Sequence, residues 1–361
     1  MAPQNELNTI LLGTKKGAFV FKSTDGRRSW KMSGPFFEGC EVHHMIHDTR
    51  NALLLAAVNN SQWGPRVLWS RNLGESWKES KVHPRFRKGS GLSVDAVWHI
   101  EPSSAKEPQR LYAGVAPAAL FRSDDRGDTW DLVEGLTNHP TRKKWTPGAG
   151  GLCLHSILVD PRNPRRMHVA ISSVGVLHSE DGGKNWRFQN KNIRANFLPN
   201  KYPEYGNCPH KLLRNPSAPE ELYQVNHCGV YSSQNDGEEW TEITENLPST
   251  FGFSLAVDPN ESSKIYTIPE QADSNRVPPN GNCAVWTKRK SGHWTRLNNG
   301  LPRRAYFGTY REGMAADAED PSGVYFGTNT GHLYASRDAG ESWTRVSDSL
   351  PPILSVSASQ S

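Results

Sequence analysis

Long apolar runs are missing from this chain. No hydrophobic stretch approaches the roughly 20 residues that a membrane-spanning helix needs, so no membrane partner is expected. Cysteine is scarce and odd in number, five in 361 residues, and scattered along the chain, which argues against a disulfide framework. The start, MAPQNELNTILLG, has no basic segment leading into an apolar run. Together these features make a reduced, cytoplasmic protein the expectation. A strong charge of one sign is absent too. The 42 Lys and Arg against 37 Asp and Glu leave a formal charge of +5, too mild for the dense basic stripe that nucleic-acid binding uses. No nucleotide cofactor is expected. What the chain does have is tryptophan (12), glycine (31) and proline (25), the composition of an all-β chain with many tight turns.

One pattern, Ser/Thr-x-Asp-x-Gly-x-x-Trp with drift, recurs seven times. It reads STDGRRSW from Ser23, SRNLGESW from Ser70, SDDRGDTW from Ser123 and SEDGGKNW from Ser179. It continues as SQNDGEEW from Ser233, TKRKSGHW from Thr287 and SRDAGESW from Ser336. The intervals are 47, 53, 56, 54, 54 and 49 residues, and every copy ends in Trp: Trp30, Trp77, Trp130, Trp186, Trp240, Trp294 and Trp343. The first copy has shifted its Gly and the sixth has lost its acid. An Asp or Asn side chain accepts backbone N–H bonds across a tight turn, Gly supplies positive φ, and Trp buries a large ring as the next strand begins. The motif is therefore a hairpin clasp, and its carboxylates read as structural rather than catalytic.

Around each clasp the same four short strands recur, most cleanly as LHSILVDP (154–161), RMHVAIS (166–172), GVLHS (175–179) and NWRFQ (185–189). Four antiparallel strands repeated seven times predict one seven-bladed β-propeller over 1–361. The first unit begins at a second-position strand, TILLGT (9–14), and the last strand, ILSVSAS (353–359), has no hairpin partners after it. That last strand is expected to fill the empty inner place of blade one, closing the ring and removing exposed sheet edges.

The clasps resemble those of the Asp-box, or BNR, propellers, a superfamily of sialidases, xyloglucan-cleaving glycosidases, sortilin-type receptors and photosystem assembly factors. The resemblance covers essentially the whole chain and implies the fold; function must come from the site. Sialidases of that superfamily are six-bladed and carry a Phe/Tyr-Arg-Ile-Pro segment near the N-terminus. Seven clasps and no such segment here imply that the chain is not a true sialidase.

Long loops cluster on the face opposite the clasps: 81–93, 136–152, 191–207 and 269–282. They carry Arg85, Arg87, Lys88, Arg142, Lys143, Lys144, Arg194 and Lys201. Such a basic rim either holds an anionic ligand, a carboxylated sugar or a phosphate, or is a solvated loop surface. Of these residues Arg85, Arg87, Arg142, Lys144 and Arg194 are the substrate-binding candidates, with His227. Inner strands aligned on their terminal Asp48, Asp160, Asn215, Asp258 and Asp317 place His43, His155, His210, Phe253 and Glu312 five residues earlier, and blade three, aligned on Glu101, has Ala96 there. His43, His155, His210 and Glu312 would then converge on the channel mouth and suit Zn, Fe or Mn. Cys40, Cys153, Cys208 and Cys228 stand near these histidines, and His44 competes with His43 because a one-residue slip swaps the facing side. The alternative is a metal-free ligand site, or channel-lining histidines that only hold water. Glu312, Glu270 and Asp95 are the candidate catalytic acids. Three functions stay open: a metal-dependent hydrolase or lyase acting on an anionic or sugar-like small molecule, a metal-free glycoside hydrolase, and a non-catalytic propeller that binds a protein partner.

Overall fold

The computed structural model describes residues 7–261 and 263–360. Seven four-stranded antiparallel sheets form the blades of the propeller. The innermost strand of blade one is the last strand of the chain, Ile353–Gln360, which pairs with Asn8–Thr14 through Asn8↔Gln360 to Thr14↔Ile353. Blades two to seven have their inner strands at Glu41–Asp48, Ala96–Pro102, Leu154–Val159, Pro209–Arg214, Phe251–Val257 and Met314–Ala316. The strand-swapped closure read from the two chain ends is therefore present.

The clasps are built as their chemistry requires. In the fourth, the Ser179 hydroxyl donates to Asp181 Oδ1 (2.9 Å) and accepts the Gly183 N–H (2.9 Å). Asp181 in turn accepts the N–H groups of Lys184 (3.0 Å) and Asn185 (2.9 Å). These donors, with the Asn185 and Ser179 side chains, outweigh partial burial and lower the Asp181 pKa to about 2. The sixth copy lacks the acid, and its Thr287 hydroxyl bonds instead to the Ile265 carbonyl (3.0 Å).

Each clasp tryptophan is a wedge between blades. Trp130 of blade three packs with Leu53, Leu55 and Ala57 of blade two, and Trp343 of blade seven with Ala256 and Tyr266 of blade six. Trp240 of blade five does the same against Leu158, Ala170 and Val176 of blade four. At about 25 cal/mol per Å² and roughly 150–250 Å² a ring, each wedge contributes on the order of 4–6 kcal/mol of gross burial, before entropy is counted.

The shifted Gly of the first clasp has a structural consequence. Arg27 takes the left-handed position (φ 64°) that Gly fills in five of the other clasps. Its buried guanidinium crosses to blade seven, donating to Asp317 (3.1 and 3.2 Å) and to the Pro321 carbonyl (3.0 Å). The strained residue is thus a latch across the closing seam. Removing one partner of a buried pair leaves the other charge unpaired. Arg27→Met is expected to cost about 3 kcal/mol or more in urea unfolding; a loss under about 0.5 kcal/mol, the ordinary value for a surface change, would contradict the latch.

Candidate active site

Six inner strands share one irregularity. Each inserts an extra residue against its neighbour: Leu354 in blade one, then His43, Trp98, His155 and His210 in blades two to five, and one of Phe253 and Ser254 in blade six. A bulge sets two successive residues against one and breaks strict alternation, so both lean the same way. Leu354, His43, Trp98 and Phe253 line the cavity at the channel mouth and His210 lines the one beside it, while His155 is fully buried. His44, His99 and Lys211, which follow three of the bulges, meet in a buried cluster below.

The bulge resolves the choice between His43 and His44 by using both. It also corrects blade three, where Glu101 is not the counterpart of the terminal Asp. Ser103 is: its N–H donates to the Arg110 carbonyl as Asp160, Asn215, Asp258 and Asp317 donate to theirs. The bulged residue of blade three is therefore Trp98, not Ala96.

Below the mouth lies a buried charged cluster. The Glu312 carboxylate, 6% exposed, receives the Lys211 ammonium at 2.5 Å. His99 Nδ1 stands 3.3 Å from its Oε1 and His44 Nε2 3.7 Å from its Oε2. The two imidazoles stack with centroids 4.4 Å apart. His44 Nδ1 accepts the Ile100 N–H (3.1 Å), so its proton sits on Nε2, toward Glu312. Burial pushes Glu312 toward protonation, but Lys211, His99 and His44 prevail and hold it well below the usual carboxylate range. Burial and the charge of His99 depress His44 strongly; burial also opposes a charged His99, but Glu312 and Glu101 raise it.

Above the cluster is a cavity of about 250 Å³ lined by His43, Trp98, Phe253, Glu270, Arg311 and Glu312, among others. Glu270 is 2% exposed. One oxygen accepts the Thr309 N–H (2.9 Å), and Oε2 has no hydrogen-bond partner. Burial raises its pKa to about 7, against weaker pulls from that N–H and from Arg276. Two carboxyl groups thus line one cavity with opposite ionisation. A second cavity, about 300 Å³, adjoins it through Gly150, Phe253, Arg276 and Arg311, and holds Cys208, His210 and His227.

The structure does not bring His43, His155, His210 and Glu312 to one point. His155 spends both ring nitrogens, donating from Nε2 to the Pro209 carbonyl (3.0 Å) and meeting the Ser156 hydroxyl (3.1 Å) at Nδ1. His210 donates from Nδ1 to the Gly252 carbonyl (2.6 Å). His43 pairs with Glu41 (3.4 Å) and packs on Trp98. Asp95 is exposed and does not line the mouth cavity.

The cations placed on the rim serve elsewhere. Arg85 and Arg87 line an outer groove, with Arg87 paired to Glu134 (3.0 Å). Arg142 bonds the Ala118 carbonyl (3.2 Å) and lies over Trp145, Lys144 is exposed beside it, and Arg194 ties Cys228 to Glu242. The mouth has Arg311 and Arg276 instead. Arg311 lies over Trp98 and bonds the Ser172 hydroxyl (2.9 Å), and Arg276 lies over Phe253 (4.9 Å). Arg311 adjoins Glu312 in sequence, which is the signal that could have found it.

No family model matches the chain. It is 24% identical over 270 residues to a probable oligoxyloglucan-reducing end-specific xyloglucanase of Neosartorya fischeri, covering 68% of this chain and 26% of that one. It is 26% identical over 283 residues to a xyloglucanase of Paenibacillus sp, covering 66% of this chain and 25% of the relative. The matched part is about a quarter of either relative's length. Among solved structures, an ancestral GH74 enzyme superposes with TM-score 0.61 at 18% identity, over 85% of this chain and 38% of the other. YCF48 bound to a D1 peptide superposes with TM-score 0.54 at 14% identity, over 84% and 80%. These place the chain among seven-bladed propellers whose structural neighbours are GH74 and YCF48 propellers.

Glu270 makes stability pH-dependent in a defined sense. Its carboxyl keeps a proton up to about pH 7 when folded, whereas the unfolded chain releases it near 4.5, so stability from this group is present at low pH and lost as pH rises through that window. Glu270→Gln removes the loss. Between about pH 4 and pH 8, urea unfolding should shift in the variant's favour relative to the parent by on the order of 3 kcal/mol. A difference that does not change with pH would contradict the assignment.

Proposed function

We propose that the protein is a glycoside hydrolase whose acid is Glu270 and whose second carboxylate is Glu312. The observation that carries this reading is the opposed ionisation of two carboxyl groups lining one cavity. Glycoside cleavage needs that division: a protonated acid for the leaving oxygen and an ionised carboxylate for the developing oxocarbenium or the attacking water. The neutral Glu270 gives its proton to the leaving group. Glu312, held ionised by Lys211, His99 and His44, supplies the negative charge. Trp98 and Phe253 offer faces for a sugar ring, and Arg311 favours a substrate bearing a carboxylate, whereas Arg276 is already paired with Asp273 at 2.5 Å. The sequence likeness to xyloglucanases supports a carbohydrate substrate. No metal takes part in this chemistry.

Assays on xyloglucan oligosaccharides and on chromogenic uronic-acid glycosides should find turnover in one of the two. Glu270→Gln and Glu312→Gln should each lower kcat by about 10²-fold or more. The kcat/KM profile should fall above about pH 7, where Glu270 loses its proton. Turnover unchanged in Glu270→Gln, or a profile still rising past that pH, would overturn the assignment. Capture of a protein partner with no turnover on either substrate would favour a binding propeller instead.

A further inference from the structure

Three groups of side chains among the described residues carry metal-ligating atoms within 4.8 Å of one another: His44–His99–Glu312, His168–His178–Asp236 and Cys208–His210–His227. Two of them already hold a protein cation. The Lys211 ammonium sits on Glu312 at 2.5 Å. Arg214 donates to His168 Nδ1 (3.1 Å) and to Asp236 (3.0 Å), and Arg166 reaches Asp236 at 2.6 Å. A divalent ion at either place would have to displace a buried Lys or Arg from its own partner. The third group has no such occupant.

We propose that Cys208, His210 and His227 bind one thiophilic divalent cation of the zinc class beside the second cavity. One thiol and two imidazoles form a ligand set that zinc takes with a fourth position left open. The rings are prepared for it. His210 donates its Nδ1 proton to the Gly252 carbonyl (2.6 Å), which leaves the Nε2 lone pair as its donor. A backbone carbonyl bonded to the distal nitrogen is the usual way a metal-binding imidazole is oriented. His227 stands edge-on to it, ring centroids 5.6 Å apart, wedged by Phe197 and Phe251. Burial and the nearby Arg311 keep His210 neutral, as a ligand must be, and burial does the same for His227.

Burial also keeps the Cys208 thiol protonated above its ordinary pKa, although hydrogen bonds from Ser173 and the charge of Arg311 oppose it. Binding the ion would release that proton and create the thiolate. Bonds of about 2.0–2.3 Å imply donor separations of roughly 3.3–3.8 Å, so the three atoms, which lie within 4.8 Å of one another, would draw together by at most about 1.5 Å. The Asp273 carboxylate lines the same cavity and acts on His227, but it already holds the Arg276 guanidinium at 2.5 Å, so the fourth position falls to water. Thiolate and carboxylate together offset the charges of Arg276 and Arg311, the cations on this cavity.

The test is a Co²⁺ titration of the full chain after chelator dialysis, read by absorbance. One equivalent should bind with an intense near-ultraviolet thiolate-to-cobalt band, and the band should vanish in Cys208→Ser. The partly exposed His227→Gln, shown folded by circular dichroism, should weaken binding at least about tenfold. Absence of uptake, a band that survives Cys208→Ser, or unchanged affinity in His227→Gln would each overturn the proposal. Glycoside cleavage is read separately through Glu270 on metal-free protein, so either idea can fail alone.

Discussion

The one-residue bulge in the inner strands is the constraint on which the rest depends. A regular strand would send alternate side chains to opposite faces of its blade, and each blade would give the channel mouth one residue at a time. The bulge delivers two in succession. His43 and His44, Trp98 and His99, and His210 and Lys211 therefore act as pairs, one at the rim and one below it. Without the extra residue, either the aromatic rim or the buried charges would turn away from the axis.

Two layers with different chemistry follow. The lower one is a closed set of charges, with a glutamate neutralised by a lysine and flanked by stacked imidazoles. It is costly to bury and repays that cost only because every member faces another. The upper layer is more apolar, and in it Glu270 sits with one oxygen unsatisfied. The contrast, at one cavity, is what separates the two acids. Burial alone makes Glu270 hard to ionise, and burial with counter-charges makes Glu312 hard to protonate.

The fold was legible in the sequence because it is written locally. Each clasp is an eight-residue unit whose Ser, Asp, Gly and Trp have separate jobs within one turn, and seven copies leave little freedom for anything else. The closing strand was legible from the missing first partner at one end and the surplus strand at the other. The site was only half legible. Of the residues that the sequence singled out, Glu270, Glu312, His43, His210 and His227 line the mouth cavity or the one adjoining it. A bulge, however, is a backbone event with no residue signature of its own, so Lys211 and His99 went unseen as Glu312's partners. The loop cations failed for another reason. Arg87 and Arg194 found carboxylates next to them, which charge counting along a chain cannot reveal.

The central claim is that two carboxyl groups share a cavity in opposite protonation states below about pH 7, down through the ordinary carboxylate range. Isotope-edited infrared titration of the carboxyl stretch, with Glu270→Gln and Glu312→Gln as references, reads this without any substrate. The account predicts a protonated-carboxyl band that disappears with a midpoint near pH 7 and is missing in Glu270→Gln, and no such band from Glu312 down to its ordinary 4.5. Both groups titrating together in the ordinary carboxylate range would contradict it.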